Sequence, residues 1–149
     1  MFRVRCQAHA TLDAKGRLAL PSPLRRALED ARVQSLVLTF ANGAVWGWEP
    51  STFEEKVEKP MLQADPFADD VMDFAHALLA PAQDVELDAQ GRIRVPPPLR
   101  ELAGLDKEVV VNSFLDRIEI WDREKWDSRF KQSLERASVS RGMPGRGGG

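Results

Sequence analysis

The sequence has few of the residues that enzymes use as nucleophiles and general bases. Its 149 residues include one cysteine, two histidines and no tyrosine. It contains neither a Gly-Lys-Ser/Thr phosphate-binding loop nor a Gly-x-Gly-x-x-Gly dinucleotide motif. The single cysteine, Cys6, rules out an intrachain disulfide framework, so a reducing cytoplasm is the simplest location. We therefore expect a protein that is not an enzyme and needs no cofactor or metal.

Long apolar runs are also missing. The longest, residues 74–82, is interrupted by His76 and Pro81, and it is far shorter than the roughly 20 residues of a membrane-spanning helix. The first five residues lack the long apolar run of a secretory signal. These features predict a soluble cytoplasmic protein that has no membrane partner.

Two segments of the chain are similar to each other. Residues 12–25 (LDAKGRLALPSPLR) return as residues 87–100 (LDAQGRIRVPPPLR), at a constant offset of 75 residues. The similarity continues from residues 37–48 to residues 110–121, at an offset of 73 residues. Because an internal repeat makes half of the chain the structural unit, each copy predicts a strand, a Gly turn, a strand, a Pro-started helix and a β-hairpin.

The most distinctive part of each copy is an Asp-x-x-Gly-Arg turn. Gly16 and Gly91 can adopt the positive φ that such a turn requires, and the aspartate before them can accept hydrogen bonds from the turn amides. The arginine follows directly after the bend. A single turn of this kind is often only turn chemistry with a surface ion pair, but two copies present two Asp/Arg pairs on one molecule. This arrangement suits a surface that binds a repetitive partner.

The net charge of −2 argues by itself against nucleic-acid binding, yet the charges are unevenly distributed. Residues 1–26 carry +5 and residues 129–149 carry +4, which leaves −11 for the middle of the chain. Since the local field decides where a polyanion binds, the N-terminal segment is the favoured site. Its candidate contacts are the basic residues Arg3, Arg5, Lys15 and Arg17.

The acidic middle of the chain predicts a helix over residues 65–80. Acidic side chains are concentrated in its first half, where the helix dipole favours them: Asp65, Asp69, Asp70 and Asp73. A solvated acidic face is the favoured interpretation over metal ligation, since no His or Cys joins the acids at ligand spacing. His76 is predicted to pack beside Phe74 and Leu79.

These motifs together resemble the MraZ family of bacterial transcriptional regulators, which are built of two SpoVT/AbrB-type domains. The resemblance rests on MFR, LDAKGRLALP, DAQGRI, AGLDKEVVV and IEIWD, and it covers residues 1–130. It implies DNA binding by ring-shaped homo-oligomers at short direct repeats in the promoter of the division and cell-wall gene cluster. The family's motif falls on Asp13 and Arg17, and on Asp88 and Arg92.

The expected fold class is α+β. Two tandem SpoVT/AbrB-like βαββ lobes, related by an approximate internal twofold, are expected to interleave their strands in a shared small β-barrel with flanking helices. A lobe of roughly 45 residues is too small to form a stable core alone. The expected boundaries are a first domain at 7–53, a helical linker at 54–81, a second domain at 82–125, and a C-terminal helix with a disordered Gly-rich tail at 126–149. We expect the disordered tail to begin at Ser138.

The sequence therefore predicts a sequence-specific regulator of transcription that binds double-stranded DNA, associates with the nucleoid and assembles with itself into a ring. Its predicted DNA contacts are Asp13, Lys15, Arg17, Asp88 and Arg92, together with Arg3 and Arg5. An alternative from another class is an antitoxin-like or structural, self-assembling protein-binding module. Loss of duplex binding with retained assembly would favour this alternative.

Overall fold

The structure of the chain, a computed structural model, describes the backbone of residues 2–140 and the side chains of residues 2–138. Most of the tail that we expect to be disordered, residues 141–149, lies outside these described residues. The expectation was wrong for residues 138–140, which end the last helix. Ser138 still belongs to that helix, and its hydroxyl donates to the Glu135 carbonyl at 2.8 Å.

The elements follow the predicted order in both halves of the chain. The first half contains β1 (Cys6–Thr11), β2 (Arg17–Ala19), α1 (Ser22–Asp30), β3 (Ser35–Ala41) and β4 (Ala44–Trp48). Two interrupted helices connect the halves: α2 (Pro50–Phe53) continues through a π-helical segment (Glu54–Glu58) into α3 (Lys59–Leu62), and α4 (Asp69–Phe74) continues into a second π-helical segment (Ala75–Leu79). The second half contains β5 (Gln83–Glu86), β6 (Arg92–Arg94), α5 (Pro97–Ala103), β7 (Glu108–Phe114) and β8 (Arg117–Asp122), and α6 (Arg123–Ser140) follows.

The strands of the two halves are interleaved. Six of them form one antiparallel sheet in the order β1-β7-β8-β4-β3-β5, and β2 pairs with β6 in a separate two-stranded ribbon. The pairings of the two halves are equivalent: β1 pairs with β7 as β5 pairs with β3, and β3 pairs with β4 as β7 pairs with β8. Leu18 lies opposite Ile93 at the centre of the ribbon, and Trp46 lies opposite Glu119 where the two hairpins meet. The α+β class is therefore confirmed, and neither half forms its sheet without the other.

A closed barrel, however, is not formed by the hydrogen-bonded strands of residues 2–140. Strands β1 and β5 are the two edges of the six-stranded sheet and do not pair with each other. Leu12, the residue that follows β1, forms an isolated bridge with Leu18 of the ribbon. Each ribbon strand has only three residues, and Pro21 and Pro96 follow two residues later. Since proline has no amide hydrogen to donate, the ladders cannot extend towards closure there.

One hydrophobic core is shared by both halves. It fills the space between the ribbon, the large sheet and helices α1 and α5, and its fully buried members include Leu18, Leu24, Leu36 and Val45 from the first half and Ile93, Leu99, Val109 and Ile118 from the second. A smaller cluster around Val37, Trp48 and Phe53 attaches the connecting helices to the sheet. The core therefore supports the ribbon from its inner face.

The acidic helix differs from its prediction in both its start and its buried face. Helix α4 begins at Asp69 rather than at residue 65, and His76 is exposed instead of packed. The buried residue is Leu78, whose carbonyl accepts a hydrogen bond from the Thr39 hydroxyl at 2.6 Å. The π-helical segment accounts for the changed buried face, because its i→i+5 hydrogen bonds shift the helix face that contacts the sheet.

No helix within residues 2–140 combines the length and the apolar character needed to cross a membrane.

Truncation of the ribbon's inner face should destabilise the whole chain. Leu18 is 0% exposed, so Leu18→Ala is expected to lower the free energy of unfolding by about 2–5 kcal/mol through the cavity it leaves. Urea denaturation followed by tryptophan fluorescence measures this change. Leu62→Ala, at a site that is 83% exposed, is the matched control and should shift stability by less than about 0.5 kcal/mol. Equal losses in the two variants would contradict the shared core.

Candidate nucleic-acid interface

The first Asp–Arg turn is organised by the carboxylate of Asp13. Its Oδ1 accepts hydrogen bonds from the backbone amides of Lys15 and Arg17, both at 2.9 Å, and its Oδ2 accepts one from Arg17 Nε at 2.6 Å. Gly16 has a φ of +81°, and its amide donates to the Asp13 carbonyl at 3.0 Å. A guanidinium carries five N–H donors. Within the part of the chain that the structure describes, the Arg17 guanidinium donates a hydrogen bond only from its Nε. The Arg17 side chain is 41% exposed, so its remaining donors are available to a partner.

The second turn repeats this geometry almost atom for atom. Asp88 Oδ1 accepts from the amides of Gln90 and Arg92 at 2.9 Å each, and Oδ2 accepts from Arg92 Nε at 2.8 Å. Gly91 has a φ of +73°. The predicted positive φ of both glycines and the predicted role of both aspartates in binding turn amides are thus confirmed. Each aspartate fixes the direction of the arginine that follows it.

The hydrogen bonds of both turns keep the aspartates ionised. The Arg17 amide, and then the Arg17 guanidinium, lower the pKa of Asp13 from 3.8 to about 2. The amide and guanidinium of Arg92 lower the pKa of Asp88 in the same way. Because the folded pKa lies below the unfolded one, each ion pair stabilises the fold above the unfolded pKa, and this stabilisation is lost as the pH falls through the folded pKa. Carboxylates with such low pKa values are poor general acids at neutral pH.

The two turns contribute their arginines to one exposed face. In the ribbon, Arg17 lies opposite Arg94 and Ala19 lies opposite Arg92. Alternate residues of a strand point to opposite sides, and Leu18 and Ile93 point into the core. Arg17, Arg92 and Arg94 therefore share the outer side of the ribbon, which we call the arginine face.

The arginine face concentrates cationic groups, although Asp13 and Asp88 pair with two of its three arginines. Like charges placed directly opposite each other in an antiparallel pair destabilise it, and Arg17 lies opposite Arg94. The Nε of Arg94 donates to the Lys15 carbonyl at 3.1 Å, so Arg94 of the second repeat also contacts the backbone of the first turn. Such a concentration of cationic groups is stabilised when an anion binds across it.

Arg94 is a residue that the sequence analysis missed. The equivalent position of the first copy is Ala19, so Arg94 is not among the residues that the two copies share. The alternation of Arg92, Ile93 and Arg94 in a short strand was the signal that could have identified it, since residues two apart in a strand point the same way.

Arg3 and Arg5 lie apart from the arginine face. They line a cleft of about 590 Å³ together with Lys56 and Arg117. They precede β1, whereas the first turn follows it, and a strand of six residues spans about 20 Å. The structure thus separates Arg3 and Arg5 from Lys15 and Arg17, although all four belong to the same basic segment of sequence.

That cleft already contains a buried countercharge. The carboxylate of Asp116 accepts from Lys56 Nζ at 2.6 Å and from Arg117 Nε at 3.0 Å, and its side chain is only 8% exposed. The guanidinium of Arg117 also lies over the Trp46 ring, 4.4 Å from its centroid. Lys56 and Arg117 therefore neutralise a buried carboxylate, whereas the aspartates that pair with Arg17 and Arg92 are exposed.

The acidic residues of the connecting helices do not form a metal site. No group of three or more His, Cys, Asp or Glu side chains placed to hold a metal ion occurs in the part of the chain that the structure describes. Asp69 and Asp70 lie in the first turn of α4, where they interact favourably with the helix dipole. Asp65 accepts a hydrogen bond from the Phe67 amide at 2.9 Å. These contacts are those of a helix N-terminus and of the turn before it.

The fold and the site define a class of protein: a two-repeat α+β chain whose paired Asp–Arg turns present cations on one short β-ribbon. The family model described as "MraZ protein, putative antitoxin-like" matches residues 6–73 and 78–142. The chain belongs to the MraZ family.

Individual relatives support this assignment over most of their length. The chain is 36% identical over 137 residues to the transcriptional regulator MraZ of Thioalkalivibrio sulfidiphilus, which covers 89% of this chain and 91% of the relative. It is 40% identical over 119 residues to the protein of the same name from Acetivibrio thermocellus, covering 79% and 80%. The corresponding protein of a Nocardioides species is 42% identical over 117 residues, covering 77% of each chain.

The low pKa of Asp13 gives a direct test of the turn geometry. We expect its carboxyl carbon to titrate with a midpoint of about 2 when it is followed by NMR against pH. Arg17→Ala removes the guanidinium but keeps the backbone amide of residue 17, so it should raise this midpoint without fully restoring the ordinary 3.8. Asp88 in the same variant is the internal control and should not move. A midpoint that is unchanged in Arg17→Ala would contradict the ion pair.

Proposed function

We propose that this protein is a transcriptional regulator that binds double-stranded DNA through its arginine face. The observation that carries the proposal is the meeting of two equivalent Asp–Arg turns on one ribbon, with Arg17 directly opposite Arg94. The relatives named as transcriptional regulators support the same role. The specific target that we propose is a set of short direct repeats in the promoter of the bacterial division and cell-wall gene cluster.

The shape of the arginine face suits duplex DNA. The major groove admits a two-stranded antiparallel ribbon, and arginine binds guanine or phosphate through two parallel hydrogen bonds. The ribbon of β2 and β6 is short, is supported by the core from behind and points its arginines outward. Asp13 and Asp88 hold Arg17 and Arg92 in defined directions, which reduces the entropy lost on binding.

The proposed function includes assembly, because one chain contacts few phosphates. A ring-like homo-oligomer would place several arginine faces along consecutive operator repeats, and each later contact would be strengthened by effective concentration. Within each chain we propose SpoVT/AbrB-like domains at 7–53 and 82–125, joined by a linker at 54–81. Association with the nucleoid in the cytoplasm would follow from DNA binding.

Arg17→Ala should abolish specific operator binding while the protein stays folded. A direct arginine contact is worth about 1–3 kcal/mol, and the loss recurs in every subunit of an assembly. Fluorescence anisotropy with a duplex from the chain's own upstream promoter measures the affinity, and circular dichroism checks the fold. Arg3→Ala removes the same charge from the separate cleft and should have a smaller effect, as should Lys15→Ala. Wild-type affinity in folded Arg17→Ala would refute the assignment.

Arg92→Ala should weaken operator binding less than Arg17→Ala does. The second turn has Gln90 where the first has Lys15, and Asp84 and Glu86 precede it, so its local field attracts phosphate less strongly. The two variants remove the same group from equivalent positions, so each is the other's control in one titration. An equal or greater loss for Arg92→Ala would contradict the asymmetry.

Affinity should rise steeply with the number of operator repeats. Anisotropy on duplexes with one, two and three repeats, across a salt series, is expected to show this rise together with a salt slope of about −0.9 per phosphate contact. Light scattering on the same samples gives the mass of the assembly. Equal affinity for all three duplexes would contradict multivalent binding. Assembly without duplex binding would favour the protein-binding alternative.

A further inference from the structure

Each Asp–Arg turn is covered by an arginine from the helix of the other repeat. A Cβ atom built on Gly16 would lie 2.8 Å from both Cζ and Nε of Arg100 and 2.9 Å from the Val95 carbonyl oxygen. In the second turn, a Cβ on Gly91 would overlap the Cδ of Arg25. Arg25 and Arg100 are equivalent residues of α1 and α5. The two contacts are therefore equivalent. We call them crossed, because each joins the turn of one repeat to the helix of the other.

Hydrogen bonds reinforce the crossed arrangement. Arg25 Nη1 donates to the Gln90 carbonyl within the second turn, at 3.4 Å. The Val95 amide donates to the Gly16 carbonyl at 2.9 Å, and the Leu20 amide donates to the Gly91 carbonyl at 3.3 Å. The carbonyl of each turn glycine is thus bound by the backbone of the other repeat.

Arg25 and Arg100 differ from Arg17 and Arg92 in what they contact, although all four are half-buried. The Nε of Arg100 is buried without a hydrogen-bond partner among the described residues, whereas the Nε of Arg17 and that of Arg92 each donate to an aspartate. The aliphatic stem of Arg25 lies over Gly91, and the guanidinium end of Arg100 lies over Gly16. A side chain that packs on a turn backbone restricts that turn, whereas an exposed arginine at the same place would only add charge.

We propose that Arg25 and Arg100 are positioning residues for DNA binding, and that each acts on the turn of the opposite repeat: Arg100 on Asp13–Arg17 and Arg25 on Asp88–Arg92. The inference rests on the proposed function, and it adds residues to the DNA-binding machinery that lie outside both motifs. It also explains why glycine is needed at positions 16 and 91. Any other residue there would be strained by the positive φ and would collide with the covering arginine.

A double-mutant cycle distinguishes crossed from local action. Arg92 is combined with Arg25 in one cycle and with Arg100 in the other, and operator affinity is measured at low salt for the single and double alanine variants. Arg25→Ala and Arg92→Ala should be coupled, so that their combined loss is smaller than the product of the single losses by about 3-fold or more. The affinity losses caused by Arg100→Ala and Arg92→Ala should instead multiply in the double variant, as independent effects do, although these two residues belong to the same repeat.

Two further variants separate positioning from charge and from folding. Arg25→Lys keeps the charge and most of the stem over Gly91, so it should recover most of the affinity that Arg25→Ala loses. Arg26→Ala removes the same charge from an exposed neighbour on α1 and should reduce affinity less than Arg25→Ala, which also removes the contact over Gly91. Thermal unfolding of all variants confirms that they remain folded at the titration temperature.

A measurement without DNA tests the crossed contact itself. In amide NMR spectra, Arg25→Ala should shift the Gly91 signal and Arg100→Ala should shift the Gly16 signal, with little effect on the other glycine. Coupling of Arg92 with Arg100 instead of Arg25, or shifts confined to the same repeat, would overturn the inference while leaving DNA binding intact. No operator binding by wild-type protein would instead overturn the proposed function and, with it, this role of the two arginines.

Discussion

The pairing of β2 with β6 is the contact on which the rest of the structure depends. Two strands of three residues each cannot be stable by themselves. They are held because Leu18 and Ile93 enter the shared core at the centre of the pair. This one register brings a turn from each repeat to the same short ribbon. The same pairing places three arginines on the solvent side, so stability of the inner face and cation density of the outer face arise together.

Interleaving of the repeats links the two turns mechanically. The hairpins meet at Trp46 and Glu119, the edge strands of each repeat pair with the other repeat, and the turn glycines are covered from across the ribbon. Each turn is therefore held in place partly by elements of the opposite half. The Asp–Arg ion pairs themselves are exposed and local. Such pairs add little to stability, so their main physical effect is to direct the arginines.

The local features of the site could be predicted from sequence, and the tertiary ones could not. The two turns follow from Asp, Gly and Arg at fixed spacing, because turn chemistry depends on neighbours in the chain. The placement of Arg94 opposite Arg17 and the crossed contacts of Arg25 and Arg100 depend on contacts between distant segments, which the sequence does not display. Grouping Arg3 with Arg17 by charge overlooked the extended strand that lies between them. The prediction of a closed barrel was wrong for a related reason. Closure depends on the length of the strands, and Pro21 and Pro96 end the two ribbon strands early.

Site-specific photo-crosslinking to the operator tests the central claim, that DNA binds on the arginine face, most directly. Residue 19 is exposed on that face, opposite Arg92, so a photoreactive amino acid placed there removes no arginine. Residue 70, exposed on the acidic helix α4, serves as the comparison position. The account predicts covalent capture of the operator duplex from position 19 and little from position 70. Capture from position 70 with none from position 19 would contradict it.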